Sequence, residues 1–225
     1  MGGKIECYLD VVSPYSYYAL LYLEKNRETL KSHDVDIDII PVFLGGINVG
    51  SGNKPPWTLP AKANYSNYDS ARAKKYFGVP DIKTPSFFPI LSLPPQRALT
   101  YIRAHHASLL IPTFLTLFSA MWLDGHDISK PDLLAQALSA HFSPEETKAI
   151  LEGANQPHYK QELSAKTQEA LDRGAFGCPW FWVTNTAGVG EPFFGSDRFH
   201  FIWEYLGLPW KAVELLPSAQ AKAKI

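Results

Sequence analysis

Asp10-Val11-Val12-Ser13-Pro14-Tyr15-Ser16, read directly after the alternating run Ile5-Glu6-Cys7-Tyr8-Leu9, decides how this chain folds. The alternation marks a short strand, and an apolar-periodic stretch over residues 17–30 marks a helix. Between them, Ser13 has the character of a helix N-cap, and Pro14 suits the first helical position, where a missing N–H costs nothing. One hydroxyl and several unpaired backbone N–H groups therefore meet at the carboxyl end of a strand, where an anion is stabilised. Ser13 reads equally well as a plain cap. No His or Lys lies beside it in sequence to make it a nucleophile, but a hydroxyl needs no base to donate to a thiolate.

Outward from this turn, residues 35–43 alternate again, Val35, Ile37 and Ile39 against Asp36 and Asp38. Residues 45–60, rich in Gly, Asn and Pro, read as a loop. Helical patterns then dominate to residue 174, the strongest over residues 95–123, 130–140, 144–151 and 158–173. Ser143-Pro144-Glu145-Glu146 is a start signal, with a hydroxyl cap and early acids facing the macrodipole. Residues 180–184 and 192–194 flank a Gly-containing turn and predict a β-hairpin, and residues 197–206 a final helix. The fold class is α/β. Its order, βαβ, helical insertion, ββα, is similar to the thioredoxin-like arrangement with a large all-helical insert. Residues 1–60 and 175–225 would form the discontinuous thioredoxin-like domain, and 61–174 the insert.

With 225 residues, 46% of them hydrophobic, the chain can bury one large core. A net charge of −1 argues against a nucleic-acid partner. Two cysteines, Cys7 and Cys178, make no disulfide framework, so an intracellular, reducing compartment is expected, and Cys7 falls in the first strand as a small buried hydrophobe. No apolar run is long enough to span a membrane. Met1-Gly2 resembles a myristoylation start but has Glu6 where Ser or Thr is wanted. Ala223-Lys224-Ile225 is a loose variant of a peroxisomal tail, leaving a cytoplasmic or a peroxisomal address open.

Three further segments carry candidate chemistry. In Gly177-Cys178-Pro179, at a strand entrance, the similarity to thioredoxin-like folds implies a cis proline that exposes the Cys178 backbone to grip an extended peptide, although an X-Pro bond is ordinarily trans. In Gly195-Ser196-Asp197-Arg198, Ser196 and nearby N–H groups could hold a carboxylate while Asp197 pairs with an ammonium. The other reading is a Ser-Asp helix cap. In residues 51–62, Asn53 offers donor and acceptor, and Lys62 a charge for a second carboxylate, the bland reading being a surface turn with a solvated lysine. His105-His106 share no helix face and no metal motif is present, so no metal is expected. Trp180, Phe181, Trp182, Phe193 and Phe194 read as hairpin core, and Phe114, Phe118 and Met121 as core rather than pocket wall.

The ordered set D-V-V-S-P-Y-S, S-G-N-K-P-P with L-P-x-K, G-A-F-G-x-P and F-G-S-D-R, spread from residue 10 to residue 198, resembles the kappa-class glutathione transferases. Their thioredoxin-like relatives include 2-hydroxychromene-2-carboxylate isomerase. In thioredoxin-like proteins the strand-to-helix turn carries C-x-x-C. Here Ser13-Pro14-Tyr15-Ser16 takes its place, so the thiol would arrive on a ligand. The resemblance implies a homodimer that takes glutathione as co-substrate and a small electrophile as partner. Detoxification and hydroperoxide reduction are its further implications. It implies that Ser13 donates to the glutathione sulfur, supported by Pro14 and Tyr15. The backbone of Cys178, before Pro179, would pair with the cysteinyl part. Ser196 and Asp197 would hold the γ-glutamyl end, and Asn53 and Lys62 would lie near the glycyl end or the sulfur. Cys178 stands where the family commonly has Leu, which leaves open a Cys178-centred redox protein. A glutathione-dependent isomerase is the other alternative.

Overall fold

The computed structural model describes residues 2–211, so the Ala223-Lys224-Ile225 tail lies outside the described residues. The chain runs β1 (Gly3–Leu9), α1 (Pro14–Ser32), β2 (Val35–Pro41), α2 (Leu44–Ser51), α3 (Pro60–Tyr76), α4 (Leu93–His105) and α5 (Leu110–Trp122). It continues through α6 (Pro131–Leu138), α7 (Pro144–Ala154), α8 (Pro157–Asp172), β3 (Trp180–Thr184), β4 (Gly190–Phe194) and α9 (Phe199–Tyr205). The sheet order is β2-β1-β3-β4. β1 pairs parallel with β2 and antiparallel with β3, and the β3–β4 hairpin forms one edge. This is the expected thioredoxin-like βαβ and ββα pair, with helices α3 to α8 inserted between its halves.

Strand alternation divides the core in two. Ile5, Cys7 and Leu9 of β1, with Phe181 and Val183 of β3, join α1, α4, α5 and α9 in the larger cluster. Tyr8 and Trp180 face the other way, into a smaller cluster with Ile40, Val42, Ile47, Ala170, Ala175 and Cys178 under α2 and α8. Phe114, Phe118 and Met121 of α5 are fully buried, so they are core and not pocket wall. Ser143 heads α7 with a full capping box: its Oγ accepts from the Glu146 N–H at 3.2 Å, and Glu146 Oε2 accepts from the Ser143 N–H at 2.9 Å.

Several expectations need correction. The helix expected over residues 95–123 is two helices, because Pro112 cannot sit in a helix interior without removing an N–H and striking the preceding turn. The chain breaks at His106, and Pro112 falls in the first turn of α5 instead. The loop expected over residues 45–60 contains α2. Its glycines serve close packing, since a Cβ on Gly50 would meet Leu171 at 2.5 Å. β4 reaches back to Gly190, and α9 starts at Phe199 rather than residue 197. The hairpin aromatics are not all core: Trp180 and Phe181 are buried, but Phe194 is exposed and packs at a tilt against exposed Phe176, ring centroids 4.5 Å apart.

Candidate functional site

Ser13 caps α1 in extended conformation, and its Oγ accepts from the Ser16 N–H at 3.2 Å. The same hydroxyl donates to the Cys178 carbonyl at 2.9 Å, across the sheet from the turn. Pro14 is the first helical residue. The Tyr15 N–H finds no acceptor among the described residues and is the free donor of the helix start. The Tyr15 hydroxyl donates to Asp69 on α3 at 3.3 Å, and burial, with Asp69 beside it, pushes its pKa up to about 12. Tyr15 is therefore a neutral phenol at physiological pH.

The Cys178–Pro179 peptide is cis, so the carbonyl that Ser13 meets belongs to the residue preceding a cis proline. The Cys178 thiol packs in the smaller core cluster, and burial, then Asp10 and Cys7, raise its pKa well above the ordinary value. It is a protonated, enclosed thiol. The Pro179 carbonyl accepts from the Gly195 N–H at 3.2 Å, which ties the cis-proline loop to the Ser196 turn. Gly195 has φ +89, a conformation that a side chain would strain.

Ser196 is buried, but it does not cap α9. It lies in the turn before that helix, whose N-cap is Arg198, so the helix-cap reading fails. Asp197 is exposed and ion-paired with Arg198. On the other rim, Ser51 closes α2, and Gly52 turns the chain left-handed. Asn53 Nδ2 then donates to the Phe176 carbonyl at 2.6 Å. Lys62 is exposed in the first turn of α3 and forms no ion pair among the described residues. Four sequence-distant segments thus meet through named bonds: Ser13 to Cys178, Asn53 to Phe176, Gly195 to Pro179, and Tyr15 to the helix bearing Lys62.

Sequence reasoning missed what stands behind the turn. Asp10 is fully buried, and its carboxylate accepts from the Val12 N–H at 3.0 Å, the Leu44 N–H at 2.8 Å and Ser92 Oγ at 2.7 Å. It thereby caps α2 from outside, since Phe43, the N-cap of α2, offers no side-chain acceptor. Burial pushes Asp10 up to about 6, against the pull of those three donors. Gln96 of α4 and Trp122 of α5 also bond the turn backbone. A carboxylate at the end of a buried strand, and a glutamine within an apolar helical face, were the available signals.

A family model described as a DsbA-like thioredoxin domain matches residues 4–207. Glutathione S-transferase kappa 1 of Caenorhabditis elegans is 30% identical, with 97% of each chain covered. The human protein of the same name is 30% identical over 92% of each chain. A solved 2-hydroxychromene-2-carboxylate isomerase superposes with a TM-score of 0.70 at 20% identity, covering 91% of this chain and 94% of the other, a likeness of fold. With a serine at the helix start facing the carbonyl of the residue before a cis proline, the chain belongs to the DsbA-like thioredoxin-domain family and, within it, to the kappa-class glutathione S-transferases.

Proposed function

We propose that this protein is a glutathione transferase that binds glutathione along the rim joining the Ser13 turn, the cis-proline loop and the Ser196 turn, and activates its thiol. The observation that carries this reading is the buried Ser13 hydroxyl, at the start of a 19-residue helix and 2.9 Å from the Cys178 carbonyl. A sulfur brought to this point meets a hydroxyl donor, the free Tyr15 N–H and the positive end of a helix, and no second thiol within the turn.

In this reading Ser13 turns its proton from the Cys178 carbonyl to the glutathione sulfur, with Pro14 and Tyr15 shaping the helix start. The Cys178 N–H, which has no acceptor among the described residues, pairs with the cysteinyl part as an added strand would. Ser196 and Asp197 take the γ-glutamyl carboxylate and ammonium, for which Asp197 exchanges Arg198. Asn53 and Lys62 face the glycyl end. Residues 1–60 and 175–225 hold the tripeptide, and the helices of 61–174 stand over it. Exposed Phe176 and Phe194 offer an apolar surface to a small electrophile. Attack of the thiolate on that electrophile gives a thioether and releases its leaving group. Detoxification, hydroperoxide reduction and a homodimer belong to the same proposal. The raised pKa of enclosed Cys178 favours this reading over a redox reaction centred on that thiol.

The test is a pH titration of thiolate absorbance with glutathione added and the two protein thiols subtracted. The bound thiol should titrate below its ordinary value of about 8.5, and Ser13→Ala should raise it by about one pH unit with affinity nearly unchanged. An unaltered pKa in that variant removes Ser13 from the mechanism. Asp197→Ala should instead weaken binding. Consumption of glutathione in proportion to product separates transfer from isomerisation, in which glutathione is recovered.

A further inference from the structure

We infer that Gln96, standing behind the active turn on α4, is a positioning residue whose carboxamide fixes the backbone that aims the Ser13 hydroxyl. The inference rests on the reading of Ser13 as the donor to the glutathione sulfur.

Gln96 has no solvent exposure. Its Nε2 donates to the Leu9 carbonyl at 2.8 Å and to the Val42 carbonyl at 2.7 Å. Its Oε1 accepts from the Val11 N–H at 3.3 Å. Leu9 ends β1, Val42 directly follows β2, and Val11 begins the turn, so one side chain ties both parallel strand ends to the loop. The Val11 carbonyl accepts in turn from Trp122 Nε1 at 2.9 Å. Each N–H from Val11 to Ser13 consequently has a fixed acceptor: Gln96 Oε1, Asp10 Oδ1 and the Asp10 carbonyl. The hydroxyl that meets Cys178 sits at the end of this chain of fixed peptides.

Packing alone does not call for a carboxamide here. The buried face of α4 also carries Pro95, Ala98, Leu99 and Ile102, and a Met or Leu would fill the same space. An apolar side chain would, however, leave the Val11 N–H and the Val42 carbonyl buried and short of a partner, so the turn must shift to recover them. A small misplacement of a reacting group can cost far more in rate than in stability. The γ-glutamyl end, by contrast, rests on the β4–α9 turn, which Gln96 does not touch. Loss of Gln96 should therefore separate thiol activation from glutathione affinity.

The experiment compares the wild-type chain with Gln96→Met, Trp122→Phe and Ile102→Val. It reads the pKa of the bound glutathione thiol, glutathione Kd, melting temperature and turnover with 1-chloro-2,4-dinitrobenzene. Gln96→Met should raise the bound thiol pKa by about one pH unit, reduce turnover about three- to tenfold at neutral pH, and leave Kd within about threefold. Trp122→Phe removes the single N–H bond to Val11 along with part of the buried ring system, and should move the pKa in the same direction by less. It also serves as the reading should Gln96→Met not fold. Ile102→Val, on the same helix and equally buried, should lower the melting temperature without moving the pKa. A wild-type thiol that is shifted, with Gln96→Met (or Trp122→Phe in its place) leaving it unmoved, overturns the role of Gln96 alone. So does an equal shift in Ile102→Val. A wild-type thiol at its free value overturns the Ser13 reading, and the role of Gln96 with it.

Discussion

The two rims of the site are built in opposite ways. On one, the β1–α1 turn is gripped by buried Gln96 of α4, buried Trp122 of α5 and its own buried Asp10, and no backbone N–H from Val11 to Ser13 is loose. On the other, Asn53 and Lys62 ride on a segment in which α3 buries none of its 17 residues. That helix packs mainly on its own preceding turn. It is held to the active turn by the bond from Tyr15 to Asp69, and at its C-terminus by Phe77 stacked on Tyr18 at 5.0 Å. The contrast suits a division between chemistry and capture. On the proposed reading, a group that must stabilise charge gains from being fixed before the ligand arrives, whereas a rim that is to admit a flexible tripeptide gains from low local stability.

The largest effects should come from testing that contrast directly. Phe181, fully buried on β3 beside β1, should cost about 3–5 kcal/mol when truncated to Ala, and exposed Tyr68 on α3 less than about 0.5 kcal/mol, by urea denaturation. Comparable losses would mean that α3 is as integral as β3. A second effect concerns pH. Because burial raises Asp10 to about 6, the folded chain binds its proton more tightly than the unfolded chain does. The stability contributed by this group is therefore full below about pH 4 and falls as pH rises to about 6, by about 3 kcal/mol. Subtracting an Asp10→Asn denaturation series from the wild-type series should expose that slope, and a flat difference would show that Asp10 is not ionised against its surroundings. The smallest effect belongs to the tether. Asp69→Ala removes the acceptor of both Tyr15 and Tyr65, each at 3.3 Å in a part-exposed setting, and should cost about 0.5–1 kcal/mol or less. Amide exchange in α3 should quicken a few-fold while β1 and α1 stay unchanged. Quickening in β1 would mean that the rims are coupled.

The tight rim was legible where its signals are local. Ser13-Pro14 announces a helix start within two residues, and the alternation before it announces a strand, so the turn could be placed without any tertiary contact. What holds the turn shows in the sequence only as a glutamine within an apolar helical face, because the atoms that Gln96 bonds are backbone atoms, as far as 85 residues away, which leave no trace in side-chain pattern. Three glycines made α2 read as a loop, although Gly46 and Gly50 are there to let α8 approach. Pro112 was a local signal and was overrun by the apolar period on either side of it. Ser196 and Asp197 carried two readings that no local rule could part. Only the turn geometry, with α9 starting two residues later, removes the cap.

Before any ligand arrives, the Ser13 hydroxyl is already committed to the Cys178 carbonyl. It therefore behaves as a comparator, weighing an incoming acceptor against a neutral one it already holds. A thiolate outbids an amide oxygen by the difference between a charged and an uncharged hydrogen bond, on the order of 1 kcal/mol, or about five- to tenfold in population. A thiol or a thioether, with weak acceptor sulfur, does not. On the proposed reading the hydroxyl swings to sulfur as the proton leaves it and swings back once the new carbon–sulfur bond has formed, so that the resting bond, far from obstructing the site, resets it.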